Sequence, residues 1–301
     1  MFSYTGLRNL FGDLTNDDSA SNLTLGDTLI NLMIRRVQGL WNWYFLDKTD
    51  TTETTTASTQ FYKLPYRADR LLSAPTITVG THVYTPKECP SRQFWDEINE
   101  TSRSSDIPEW YFIFDNQVGF YPTPATSSNT ITMPYRLLSR NLVVADYTTG
   151  TITTATNAGT TIVGSGTTWT SQMAGRFIRI TRADGAATGD GEWYEISSVT
   201  NTTTLVLRKK YQGTTLAAAS ATYTIGEMPD LPRDFHQTPV WGALRVYFTS
   251  INPDPTRAAL YRDLFNEDIV AMKEKYQRKT DSPVIEDLGR SRMNPNLYIS
   301  L

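Results

Sequence analysis

One cysteine and two histidines in 301 residues leave little material for redox or soft-metal chemistry. Cys89 alone forms no disulfide within the chain. A Cys/His metal site needs about four clustered ligands, and His82, Cys89 and His236 are scattered. No window approaches 18 consecutive apolar residues, so no helix is expected to span a membrane. Met1-Phe2-Ser3-Tyr4-Thr5-Gly6-Leu7-Arg8 lacks the basic stretch and apolar core of an export signal, and the expectation is a soluble protein used without secretion. Charge of one sign is missing too. The chain has 28 Lys+Arg against 31 Asp+Glu, a net charge of -3, which excludes a globally basic nucleic-acid binder and a polyacidic tail protein. An aromatic content of 12% argues against disorder, which goes with few large apolar groups and high net charge.

What the chain has in excess is threonine, 45 in all, of which 21 fall between 147 and 227. That block holds Ile152, Ile162-Val163, Phe177-Ile178-Arg179-Ile180, Trp193-Tyr194-Glu195-Ile196, Thr204-Leu205-Val206-Leu207 and Thr222-Tyr223-Thr224-Ile225, separated by Gly-, Asn- and Ser-bearing turns. Regular short strands without helical period predict an all-β sandwich or barrel, and threonine suits a pleated face whose hydroxyls meet water.

The flanks read differently. Residues 1–47 are helical: Thr24-Leu25-Gly26-Asp27 has the form of a capping box, and Leu29, Met33, Val37 and Leu40/Trp41/Tyr44 recur at helical steps. The aromatics that close this stretch, Trp41, Trp43 and Tyr44, exceed what one helix face needs and suggest a patch that packs on another element or subunit. Strands are expected at 60–65 and 130–136, with hairpins about Gly80 (76–84) and about Asp115-Asn116 (110–121). One or two helical turns are expected at 90–99. Residues 228–279 return to helix, with Pro232 and Asp254-Pro255 as starts, a first helix that is kinked or begins late, and a Tyr261, Phe265, Ile269, Met272, Tyr276 stripe on the second. The fold class is therefore α+β: a helical bundle of N- and C-terminal helices with β-hairpins (1–146 and 228–279), an inserted all-β module (147–227) and an extended C-terminal tail (280–301).

Candidate chemistry is sparse. Cys89 and His82 could meet across a turn, but no helix N-terminus or basic cluster lowers the thiol pKa, and a structural thiol is the better reading. Asp184-Gly185-Ala186-Ala187-Thr188-Gly189-Asp190-Gly191-Glu192 lacks the acidic spacing of a calcium loop and reads as a hairpin loop. Val163-Gly164-Ser165-Gly166-Thr167-Thr168-Trp169 has neither the lysine nor the following helix of a phosphate loop. The basic clusters Arg35-Arg36 and Arg208-Lys209-Lys210 are too short to track a nucleic-acid backbone. No catalytic site, cofactor or metal is expected.

The order of features resembles the head-to-tail adaptor (connector ring) proteins of tailed bacteriophages, short-tailed phages especially. The matching stretches are the helix ending in Trp41-Asn42-Trp43, Thr54-Thr55-Thr56-Ala57-Ser58-Thr59-Gln60-Phe61-Tyr62-Lys63-Leu64-Pro65 and Gly80-Thr81-His82-Val83-Tyr84. Ser105-Asp106-Ile107-Pro108-Glu109-Trp110-Tyr111-Phe112-Ile113, Gly119-Phe120-Tyr121-Pro122-Thr123-Pro124 and Thr130-Ile131-Thr132-Met133-Pro134-Tyr135-Arg136 follow, and the helix pair after Leu231-Pro232-Arg233-Asp234-Phe235 completes the set. The resemblance implies a structural virion protein, not an enzyme, at the neck of a particle assembled in the host bacterial cytoplasm. It implies a homo-oligomeric ring, usually of twelve copies, under the portal protein, meeting a tail or nozzle protein and letting double-stranded DNA pass. The 147–227 module departs from the smallest family members; on the ring's outside it would meet tail fibres or capsid.

Two further expectations concern surfaces. Tail residues Arg290, Arg292, Met293, Pro295, Leu297, Tyr298 and Ile299 combine the anchors and charges that dominate binding hot spots and are assigned to the portal or a neighbouring subunit. The rival reading is a carbohydrate-binding β module of a tail or fibre protein, with Trp169, Trp193, Tyr194 and Tyr223 as a stacking platform.

Overall fold

Two helices open the chain in the computed structural model, which describes residues 1–183 and 188–276. Helix α1 (Tyr4–Thr15) is capped by the Ser3 hydroxyl, which accepts from Gly6 N at 3.3 Å. It stops at Asn16, whose left-handed backbone (φ 55°) is a common helix end. Helix α2 (Ala20–Leu40) is capped by Ser19, whose hydroxyl accepts from Asn22 N. The box expected at Thr24–Asp27 is thus inside a helix already under way. The Thr24 hydroxyl donates to Ala20 O at 2.7 Å instead, because the Asp17-Asp18-Ser19 turn supplies an earlier start. Leu29, Ile30, Met33, Ile34 and Val37 form the buried face. The stripe runs out at its end: Leu40 and Trp41 are exposed.

Nine short strands and one helix follow: β1 (Asp47–Asp50), β2 (Phe61–Lys63), β3 (Ala68–Leu71), β4 (Thr76–Val79), β5 (His82–Tyr84), β6 (Lys87–Glu88), α3 (Arg92–Asn99), β7 (Trp110–Phe114), β8 (Gln117–Tyr121) and β9 (Thr130–Leu137). They make two sheets. In one, β9 is the spine, pairing antiparallel with β1, β3 and β4, and β5 extends it from β4. The other has the order β2-β8-β7-β6, with only β6 and β7 parallel. Tyr62, Tyr111, Val118 and Phe120 of the second sheet share one buried cluster with Ile77, Ile131 and Met133 of the first. Each fully buried side chain of this size contributes about 1.5–3 kcal/mol, so the two sheets hold each other. The expected hairpins form where the turn residues demand them. Gly80 takes φ 59°, and Asp115 and Asn116 take φ 49° and 57°, the consecutive positive angles that a tight two-residue hairpin needs.

Six strands then pair in the order β10-β11-β14-β13-β12-β15: β10 (Thr151–Ala155), β11 (Thr161–Ser165), β12 (Phe177–Ile180), β13 (Trp193–Asn201), β14 (Thr204–Leu207) and β15 (Tyr223–Gly226). Bridges Tyr147↔Ile225, Ile152↔Ala221 and Ala155↔Leu216 join its two edges, so the sheet closes on itself. Its interior is a core of its own, with Ile152, Ile162, Trp169, Ile178, Ile196, Leu205, Tyr211, Tyr223 and Ile225 all buried. The Trp169 indole donates to the Tyr223 hydroxyl at 2.9 Å, and that hydroxyl donates to Thr149 O at 2.5 Å.

Helices α4 (Thr238–Ser250) and α5 (Pro255–Tyr276) end the described chain. Pro232 starts only a 3-10 turn (Arg233–Phe235), so α4 begins late, at Thr238. Asp254 caps α5 by accepting from Thr256 N and Arg257 N. Tyr4, Leu7, Phe11, Ile30, Ile34, Leu244, Phe248 and Tyr261 bring α1, α2, α4 and α5 into one cluster. The chain is therefore α+β.

Candidate functional site

The aromatic run at the end of α2 divides between inside and outside. Of the two readings, another element or another subunit, Trp43 takes the first and is fully buried: its indole donates to Val37 O at 2.7 Å and it packs with Val37, Leu46, Leu231, Phe265 and Met272. The reason is the break in helix after Leu40, which turns Trp43 back under α2. Trp41 and Tyr44 stay 38% and 48% exposed. Both are fixed by α5. The Lys273 ammonium lies 3.6 Å from the Trp41 ring centre, and Tyr44 and Phe45 contact Tyr276 at 5.7 and 5.9 Å between centroids. The corner thus presents two immobilised aromatic surfaces to solvent, a form that suits contact with a protein.

Two clefts flank this corner. The larger, about 760 Å³, lies where β1, β9, the loop before β3 and Phe177, Glu195 and Arg208 of the closed sheet face the chain between Pro229 and His236. Its arginines all have carboxylate partners: Arg67 and Arg140 with Asp230 and Arg208 with Glu195 inside the cleft, and Arg233 with Glu192 outside its lining. At its edge His236 is buried, with Nε2 3.2 Å from Leu231 O and Phe2 N 3.4 Å from Nδ1. Nδ1 also lies 3.1 Å from Phe2 O, so a neutral ring, with one N–H, donates to one of the two carbonyls only. Burial pushes its pKa down to about 4. The smaller cleft, about 470 Å³, lies between the end of α2 and β3/β9. Its floor is Arg136, only 5% exposed, which donates to Asn42 Oδ1 at 2.6 Å and Asp47 Oδ1 at 3.2 Å.

These ion networks were not foreseen from sequence. Arg136 breaks the inward alternation of β9, where Ile131 and Met133 are buried. Alternation from Ile131 and Met133 puts Arg136 on the other face of β9, so nothing local in the sequence marks it as buried.

The rival stacking platform does not form. Trp169, Tyr194 and Tyr223 belong to the core of the closed sheet, and the partly exposed Trp193 is covered by Arg179, whose guanidinium carbon is 4.8 Å from its ring centre. Cys89 is buried, and burial, then Glu88, pushes its thiol pKa up. That is the wrong direction for a nucleophile. His82 is exposed in β5 and packs by Tyr84. Among the described residues no group of three or more His, Cys, Asp and Glu could hold a metal ion, and no helix is long and apolar enough to cross a membrane. The tail residues Arg290 to Ile299 lie outside the described residues, as does the 184–187 part of the acidic loop.

The model of the SU10 adaptor protein family matches residues 2–158, just over half of the 301. The chain belongs to the SU10 adaptor protein family. It is accordingly a phage structural adaptor and a virion component. The SU10 adaptor match takes in α1, α2, both small sheets and β10, and so includes Trp41 and Tyr44 of the aromatic corner and the whole lining of the smaller cleft. No curated protein matches the chain.

Proposed function

We propose that this adaptor forms the ring that joins the portal of the phage head to the tail and continues the DNA channel, in the manner of short-tailed phages. The family match over 2–158 carries the reading. A closed ring needs two different, complementary patches on each subunit. Exposed apolar side chains occur at separate places: Leu40, Trp41 and Tyr44 at the end of α2, and Ile113 and Phe114 at the β7–β8 turn. Twelve copies at -3 carry twelve times that charge, -36, and a mildly acidic lumen repels DNA and lets it slide without specific binding.

In this reading residues 1–146 and 228–279 are the adaptor core, and 147–227 is an insert on the outside of the ring that meets tail fibre or capsid. Tail residues Arg290, Arg292, Met293, Pro295, Leu297, Tyr298 and Ile299 contact the portal or a neighbouring subunit, and the lower face receives the tail or nozzle protein. The protein assembles in the host bacterial cytoplasm and ends in the neck of the virion. Electron microscopy of the purified protein, with and without portal, tests the ring. Rings on portal particles are expected, and a monomer that never assembles even with portal overturns the reading. Truncation after Thr280 is expected to leave a folded subunit that no longer co-sediments with portal-bearing capsids.

A further inference from the structure

The two clefts differ in how their charges are settled. In the larger one each arginine named above has a carboxylate partner. In the smaller one Arg136 has Asp47, Arg70 has only the amide oxygen of Asn42 at 3.1 Å, and Arg35 has no partner among the described residues. Asp69 is the one carboxylate in the lining, against three guanidinium groups. Beside these charges the wall is apolar: Leu40, Trp41 and Leu138 line the cleft and are all exposed. A groove of this kind fits a short segment that carries aliphatic side chains next to carboxylates.

The chain contains one such segment close by. Among residues 277–301 the acids are Asp281, Glu286 and Asp287, and only Val284-Ile285-Glu286-Asp287-Leu288 sets two of them among aliphatic residues. Helix α5 ends against this corner, with Lys273 over the Trp41 ring and Tyr276 against Tyr44. Val284 is eight residues beyond Tyr276, a reach of up to roughly 26 Å at full extension, and Trp41 is itself part of the cleft wall.

We propose that Val284–Leu288 docks in the smaller cleft of its own subunit, with Glu286 and Asp287 on Arg35, Arg70 and Arg136 and the aliphatic side chains on Leu40, Trp41 and Leu138. The clasp needs no ring and no portal; it covers Leu40 and Trp41 and leaves Tyr44, 48% exposed, as the aromatic of this corner open to a neighbouring subunit. It also fixes where the remaining tail, from Gly289 on, leaves the subunit.

The test uses the full-length chain, dilute, with Leu138 replaced by the photo-cross-linker p-benzoylphenylalanine. Cleavage after lysine alone, with Lys-C, releases Thr280–Leu301 as one peptide, because Lys279 is the last lysine of the sequence, and fragment-ion spectra locate the joined residue within it. Illumination is expected to join that peptide to position 138. In a mixture of isotopically heavy and light protein, heavy–heavy and light–light products are expected. Glu286→Arg with Asp287→Arg is expected to lower the yield about fivefold, the loss of two partly exposed ion pairs, and Arg35→Glu with Arg70→Glu in that background to restore it in part. Absence of the cross-link, a yield indifferent to charge reversal, or heavy–light products each overturn the proposal. Circular dichroism of every variant separates loss of the clasp from loss of fold.

Discussion

The Lys273 ammonium lies 3.6 Å from the centre of the Trp41 ring, tying the last turn of α5 to the end of α2. A cation over an exposed aromatic ring contributes about 0.5–1 kcal/mol, so Trp41→Ala is expected to lower the melting temperature by only a few degrees. Trp43→Ala empties a fully buried site and is expected to cost about 3–5 kcal/mol. Urea titrations of the two variants give the comparison. In the ring reading, Trp41→Ala with Tyr44→Ala reduces assembly, measured by sedimentation velocity, far more than it reduces subunit stability.

Two glycines of α2 separate helix propensity from packing. Replacing glycine by alanine inside a helix gains about 1 kcal/mol. At Gly39 a Cβ meets nothing within 4 Å, so Gly39→Ala is expected to stabilise by about that amount. At Gly26 a Cβ would lie 2.5 Å from Phe11 Cδ1, and Phe11 is fully buried. Overpacking costs about 1–3 kcal/mol, which outweighs the gain. Gly26→Ala is therefore expected to destabilise, and equal midpoints for the two variants in urea would refute the close approach of α1 and α2.

Tyr223→Phe tests the closed sheet. The hydroxyl accepts from Trp169 and donates to Thr149 O inside a core. Its removal leaves a buried indole N–H without a partner, a loss of about 1–3 kcal/mol. Hydrogen exchange should rise along β10 to β15 with little change at α1, α2 and α4. Uniform acceleration across the chain would show that the sheet does not open separately.

Stability should fall as the solution is acidified from neutral. His236 in the fold has a pKa near 4, against about 6.5 in an unfolded chain. Between those values the unfolded state binds a proton that the folded state refuses, so stability is whole above pH 6.5 and is lost progressively down to about pH 4. The loss amounts to about 3 kcal/mol. Melting curves of the native chain and of His236→Gln, taken from pH 7 to 4, should show a shallower slope for the variant. Parallel slopes would mean that other groups carry the effect.

Local signals explain what could be foreseen. Gly80 and Asp115-Asn116 announce hairpins because the turn itself dictates residue type, and the stripe Tyr261, Phe265 and Met272 on α5 is buried because helical period and burial coincide there. The start of α2 was displaced because Thr24–Asp27 and Ser19 both satisfy cap chemistry, and tertiary contact of Gly26 with Phe11 needs helix at 26 already. The smaller cleft left no local trace. Arg136 meets Asn42 and Asp47 across 94 and 89 residues, and such pairing is set by β9 lying against β1, not by spacing. The sequence leaves Trp43 open between its own subunit and a neighbour for a similar reason: an aromatic surplus has the same composition whether it faces outward or folds under its own helix.

Tyr147 and Ile225 exchange both backbone hydrogen bonds, at 2.8 Å each, where the chain passes into and out of the closed sheet. Nearby, Tyr4 N donates to Glu227 O, and the Ser3 hydroxyl donates to Asp146. The two strands that cross this seam therefore lie side by side, one bridge wide. In genetic terms such a seam is a splice point. An exchange made there keeps both strand ends in place, and the Arg233–Glu192 pair and the Arg176 bond to Ala145 O are the contacts it has to preserve across the join.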